Sequence, residues 1–374
     1  MVVVDGYMRG AVRQFVLCLS SMRRIDAPIE LANTLSASRG TLTQRICRWY
    51  AEFSEDLQGG RDSYPAAAVR ATPDLEDRVL EIARGAEILS GLVERPAVPT
   101  LFLSHDMDYL GRTLQMAIKN AISQKKFVFP STRAGNYLDA VAEMFAFDAS
   151  VVTEGLASTV FIAVPGSVRG IGRRAKQWLI DPSYHNSPSL LSELIRLTEN
   201  YRSDVGLHGS YFSISQGLVP HELATLRSAT GKASRIGRQH WLNLTHGPVA
   251  AMSYLRGSGI EVDSTLGWNG TVGFRCGMAR PFSIALPGGG QIMEVPLVLM
   301  DRPLFADMGL SADEVLSLAK DRLEEVYVRC GGVAICWHDA AAHSDFGWFE
   351  TYQRIVEWAA NRGFKFSTIS ALCS

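Results

Sequence analysis

Apolar residues recur at helical spacing along Ile29–Phe53 and again along Leu75–Leu92, with Gly59, Gly60 and Pro65 interrupting between them. The short apolar run at Phe15–Cys18 gives way to Arg23 and Arg24 and reads as part of a further helix, not as a signal or membrane-spanning segment. Residues 1–95 therefore predict an N-terminal helical region. Pro96 and Pro99 punctuate the entry to a strand at Leu101–Ser104, and from there the pattern changes. Strand-type runs at Ser158–Val164, Asp204–Tyr211, Gly237–Leu244, Val262–Trp268, Gln291–Met300, Val333–Trp337 and Phe364–Ile369 alternate with helical patterns. The helices fall at Ser187–Tyr201, Pro220–Ala229, Pro248–Arg256, Ser311–Val328 and Phe346–Ala360, and Ser311 with Glu314 has the spacing of a capping box. Repeated β-then-α order predicts an α/β domain over 96–374 with a parallel sheet, and seven or eight such strands predict closure into a barrel.

In a barrel of this kind reactive groups belong at the C-terminal ends of the strands. Those ends carry Asp106 and Asp108, then His208, His240, Asp263, Glu294 with Asp301, and His338. Along Thr100–Tyr109 the period of 2 sets Asp106 and Asp108 on one face and His105 and Met107 on the other. Two carboxylates so close repel unless a cation or a shared proton relieves them. Asp108, His208 and His240 make a ligand set suited to a divalent ion with one position left open for water. Asp106 is then placed as general base and His338 as the acid that protonates a leaving amine.

Composition narrows the partners. The chain has 374 residues, 47% hydrophobic and 20% charged, with a formal net charge of −1, the balance of a folded globular protein. Near-neutrality argues against nucleic acid as a partner. The local exception is the basic loop Gly166–Lys176, which carries Arg169, Arg173, Arg174 and Lys176 and reads either as a clamp for a phosphate on an activated sugar or as a solvated surface segment. It lacks the Gly-Lys-Ser/Thr ending of a nucleotide-hydrolysing loop. Six cysteines without a CxxC pair suggest a reducing compartment, and with no transmembrane run the expected location is cytoplasmic.

The segments Ser104-His105-Asp106-Met107-Asp108, Gly206-Leu207-His208-Gly209-Ser210-Tyr211, Arg238-Gln239-His240-Trp241, Asp263-Ser264-Thr265-Leu266-Gly267, Gly273-Phe274-Arg275-Cys276-Gly277 and Trp337-His338 resemble the polysaccharide deacetylase superfamily, of the carbohydrate esterase, NodB-homology type. They are most similar to its bacterial members found with surface-polysaccharide (O-antigen or capsule) biosynthesis. The resemblance covers about residues 98–372. It implies a distorted (β/α)7-8 barrel and metal-dependent hydrolysis, Zn2+ being the expected ion, of an N-acetyl or similar acyl group from an amino sugar, nucleotide-linked or lipid-linked. It also implies Asp106 as base, Asp108 and His208 as ligands, Arg275 as the residue that orients the base, and His338 as acid. The chain departs from the family pattern where the second ligand His should follow His208 by four residues, since Phe212 stands there. His240, at the next strand end, is the expected replacement.

Asp263, Glu294, Trp241, Trp268, Arg173 and Arg174 are the expected substrate-binding groups, the tryptophans through stacking on a sugar ring. Two other readings remain open from the sequence: a glycan-binding barrel that has lost its metal site, and a glycosidase using paired carboxylates.

Overall fold

The computed structural model describes residues 2–37, 40–58, 70–89, 92–94, 97–110, 118, 135–343 and 346–373. The predicted interruption at Gly59, Gly60 and Pro65, and Pro96 at the expected region boundary, lie outside them.

The barrel strands are β1 (Thr100–Met107), β2 (Thr159–Ile162), β3 (Asp204–Gly209), β4 (Ile236–Gln239), β5 (Val262–Asp263), β6 (Phe282–Ala285), β7 (Gln291–Glu294), β8 (Leu297–Met300), β9 (Gly332–Cys336) and β10 (Lys365–Ser367). Parallel pairing runs β8-β9-β1-β2-β3-β4-β5-β7. The two ends of that path, β7 and β8, are halves of one chain segment broken at Val295-Pro296. Proline has no N–H for a ladder, so the segment bends there: its first half pairs with β5 and its second with β9, and the ring closes. This is the distorted (β/α) barrel that the motifs imply. β6 hangs from β7 as an antiparallel hairpin, and β10 pairs with β1 only along Thr100–Phe102, below the stretch where β1 pairs with β2.

The N-terminal region is helical as expected: α1 (Val2–Met22), α2 (Pro28–Ala37), α3 (Thr41–Gln58) and α4 (Asp74–Gly85). It shares its core with the barrel. Phe15, Trp49 and Phe53 pack with Phe282 of the hairpin, and Gln14 bonds both ways to the hairpin backbone, to Ser283 O and from Ala285 N, at 2.9 Å each. Glu76 is buried and accepts from Ala279 N at 2.9 Å and Arg280 Nε at 2.8 Å.

Around the barrel lie α5 (Gly135–Val151), α6 (Ile171–Ile180), α7 (Pro188–Asn200), α8 (Val219–Thr230), α9 (Pro248–Gly257), α10 (Ala312–Val328) and α11 (Phe349–Arg362). The capping box at Ser311 and Glu314 is formed. Several predicted strands stop early. β5 ends at Asp263 because its carboxylate captures Thr265 N at 3.0 Å and Thr265 Oγ1 at 2.9 Å, turning the chain. β4 ends at Gln239, and His240 sits in a turn where Trp241 has φ of 60°. The loop expected at Gly166–Lys176 is half helix, since Gly170 at φ 94° lets α6 start at Ile171.

Candidate active site

β1, β3, β4, β8 and β9 all end at one mouth, and the chemistry-bearing side chains come from those ends. Asp106 and Asp108 leave β1 on the same side. The backbone after β1 is pinned by Asp339, whose carboxylate accepts from Asp108 N at 3.1 Å and Tyr109 N at 2.9 Å. Burial and the neighbouring Asp108 push the Asp339 carboxyl up to about 7.

The donor atoms of Asp108, His208 and His240 lie within 4.8 Å of one another. His208 Nε2 is 3.3 Å from Asp108 Oδ1, and His240 Nε2 is 3.4 Å from Asp108 Oδ2. The far side of each imidazole is held: His208 Nδ1 lies 3.1 Å from Arg238 O, and His240 Nδ1 lies 3.0 Å from Asp181 Oδ1. Bonding Nδ1–H to an oxygen fixes the tautomer and turns the Nε2 lone pair inward, the arrangement that suits a metal ligand. Asp108 Oδ1 and His208 Nε2 are buried and make no hydrogen bond. Buried polar atoms left in this state want a cation between them. The Asp108 carboxyl, which burial alone would raise, is held well below the usual range by His240 and His208. His240 is raised in turn, Asp108 outweighing the effect of burial. The three residues fit a divalent ion.

Beside this group, Arg238 Nη1 donates to Asp106 Oδ1 at 2.8 Å from a fully buried position. Its other nitrogens are committed to Ser264, Nε to O at 2.9 Å and Nη2 to Oγ at 3.0 Å, and its guanidinium stacks on Phe161 at 4.4 Å. Burial would raise the Asp106 carboxyl, but Arg238, with His208 and His338, outweighs it and keeps the group below the ordinary value. Across the mouth, His338 Nε2 is 3.8 Å from Asp108 Oδ2, and His338 Nδ1 lies 2.6 Å from Asp301 Oδ1. Asp301 also accepts from His338 N at 2.8 Å, so both ring and backbone are oriented. Against the effect of burial, Asp301, Asp108 and Asp106 raise the His338 imidazole to about 10.

Arg275 is elsewhere. Its guanidinium donates to Asp56 O, Gly267 O and Leu57 O at 3.1–3.3 Å and lies over Trp268, tying α3 to the barrel. Arg238 occupies the position beside Asp106 that the resemblance assigns to Arg275. The reason is the path of the chain: Arg275 sits in a helical turn beyond β5, whereas Arg238 shares the inward face of β4.

Asp263 and Glu294 are fully buried in the barrel wall, not presented at the mouth. Asp263 is held by its Thr265 bonds, and the neighbouring Glu294 accepts from Leu266 N through Oε1 at 2.8 Å. Burial raises both carboxyls, and the neighbouring Asp263 raises Glu294 further. Trp268 is buried against Arg275, so it offers no face to a sugar. Trp241 does lie at the mouth, half-buried, its ring edge-to-face with His240 and 5.7 Å from Arg302. Arg173 and Arg174 are exposed on α6, Arg174 bonding back to Val168 O at 3.2 Å, with no contact to Asp106, Asp108 or the three histidines.

Sequence reasoning passed over Arg238 and Asp181. Arg238 was visible: alternation along the predicted strand Gly237–Leu244 sets it on the same face as His240. Asp181 follows an irregular loop and a surface helix, and nothing in its local pattern marks it.

No model of a known protein family matches the chain, and no curated protein matches it. Solved structures do. A protein from Mycobacterium smegmatis described as a candidate polysaccharide deacetylase is similar with TM-score 0.51 and 13% identity, over 75% of this chain and 90% of that one. A family 4 carbohydrate esterase from Streptomyces lividans, in complex with acetate, gives TM-score 0.36 and 15% identity over 74% of this chain and 95% of that one. A pseudoenzyme of the same esterase family from Bacillus anthracis gives TM-score 0.39 and 9% identity over 75% and 67%. The chain has the polysaccharide deacetylase fold.

Proposed function

We propose that this chain is a metal-dependent hydrolase that removes an N-acetyl or similar acyl group from an amino sugar during assembly of a bacterial surface polysaccharide. The observation that carries this reading is the pair of imidazoles with Nδ1 anchored on oxygen and Nε2 turned onto one carboxylate, Asp108. Asp108, His208 and His240 would hold a divalent ion, Zn2+ by their donor set, which would supply Lewis acidity toward water and the amide carbonyl.

The other residues divide the proton work. Asp106, held ionised by Arg238 through Oδ1, takes the proton of the attacking water on Oδ2. His338 carries a proton on Nε2, kept there by Asp301 at Nδ1, and delivers it to the departing amine nitrogen. Trp241 at the mouth offers a face to the sugar ring. His240 serves in place of the family's second histidine, at the cost of drawing that ligand from a different strand than His208. The glycosidase pairing Asp106 with Asp108 or Glu294 has less support: Asp106 and Asp108 are both held ionised, and Glu294, whose carboxyl burial raises, is sealed from the mouth.

Metal content and acyl release test this together. The purified chain, reconstituted with Zn2+, should hold one ion, and Asp108→Ala or His208→Ala should abolish both the ion and acetate release from N-acetylated sugar oligomers. Asp106→Asn should keep the ion and lose turnover. A chain that takes up no ion after reconstitution leaves the glycan-binding reading in its place.

A further inference from the structure

Helix α6 is mounted inside out. Its sequence, IGRRAKQWLI, places Ile171, Ala175 and Trp178 at i, i+4 and i+7, a stripe that an amphipathic helix ordinarily turns to the core. Here that stripe faces outward: Ile171 is 88% and Trp178 51% exposed, Ala175 is exposed, and no residue of the helix is buried. The helix is held to the protein by its last turn, where Leu179 and Ile180 are half-buried, and by polar bonds. Gln177 Nε2 donates to Gly166 O at 2.8 Å, Arg174 Nε to Val168 O at 3.2 Å, and Lys176 Nζ to Tyr211 OH at 3.3 Å while lying 4.5 Å from the Tyr211 ring centre.

We infer that α6 docks this protein on the surface of an anionic lipid bilayer, with Ile171 and Trp178 in the interfacial layer and Arg169, just ahead of the helix, against the head groups. Charge decides the occupant. Between Glu154 and Asp181 the chain has Arg169, Arg173, Arg174 and Lys176 and no acidic residue. A bilayer with anionic lipid attracts such a segment while accepting the apolar stripe, and tryptophan suits the boundary between head groups and acyl chains. A second copy meeting this face about a twofold axis would bring Arg169 of each copy to the same shared seam. No helix among the described residues is long and apolar enough to cross a membrane, so the contact is peripheral.

The docking would orient the mouth. Asp181, which closes the C-terminus of α6, accepts from Tyr211 N at 2.8 Å and holds His240 at 3.0 Å, so the exposed stripe is in rigid register with the site. The inference stands on the helix and does not depend on the metal reading; if both hold, the sugar is presented at a membrane surface.

Sedimentation of the full chain with vesicles of phosphatidylcholine containing phosphatidylglycerol, against phosphatidylcholine alone, tests it. Binding should require the anionic lipid and weaken with salt. Ile171→Glu with Trp178→Glu should abolish binding, and Arg169→Glu should lower it by at least about fivefold, the contribution of one cation. These residues touch no core, so the melting temperature and metal content of both variants should match the parent chain. No sedimentation with anionic vesicles, undiminished sedimentation of the Ile171→Glu, Trp178→Glu variant, or a dimer lost in that variant without vesicle binding in the parent would each overturn the inference.

Discussion

At the scale of single residues, the two arginines make the sharpest contrast. Arg238→Ala removes the cation beside Asp106, whose burial then raises its pKa, and kcat/KM should fall by about 10²- to 10³-fold with the ion retained. Arg275→Ala, by contrast, loses three buried backbone contacts and should cost about 2–4 kcal/mol in denaturant unfolding while kcat/KM of the folded protein stays near the parent value. His338 supplies a pH test. Its imidazole titrates higher in the fold than in the unfolded chain, so the stabilisation is complete below the ordinary imidazole value and is lost as pH rises through about 10. Asp301→Asn takes away the first of the charges that raise it, so the alkaline limb of the pH–rate profile, and the histidine's NMR titration, should move to lower pH. An unmoved limb would remove His338 from the acid role.

At the scale of elements, the site depends on close approach between neighbouring strands. Gly206, one alternation below His208 on β3, faces the Phe161 ring of β2, and a Cβ there would come within 2.6 Å of it. Phe161 in turn supports Arg238. Gly206→Ala should therefore cost about 1–3 kcal/mol and depress turnover through Arg238 more than it depresses metal content. Asp181, delivered by the end of α6, orients His240; Asp181→Asn should weaken metal affinity by about 10- to 100-fold in a competition titration, without unfolding the protein. If affinity is unchanged, His240 is not a ligand.

At the scale of the whole molecule, the N-terminal helices and the barrel are joined by one apolar core and by buried polar ties. Trp49 is fully buried, packs on Phe15 and Phe53, and donates its Nε1 to Leu75 O at 3.0 Å. Trp49→Ala should lower stability by about 3–5 kcal/mol in a single cooperative transition reported alike by near-ultraviolet and far-ultraviolet signals. Two separate transitions would mean that the helical region and the barrel unfold independently.

Local pattern was enough for much of this. Period-2 alternation put Asp106 and Asp108 on one side of β1, strand-then-helix order gave the parallel barrel, and the positions of His208, His240 and His338 at strand ends gave the candidate ligands and acid, because these are properties of neighbouring residues on one element. Pairing across the sheet lay beyond it. That Arg238 and not Arg275 meets Asp106, that Asp181 and Asp301 hold the imidazoles, that Asp263 and Glu294 are sealed in the wall, and that α6 turns its apolar stripe outward all follow from which elements the closed ring sets side by side. A one-dimensional pattern records the face of its own element and carries no information about what the neighbouring element presents to it.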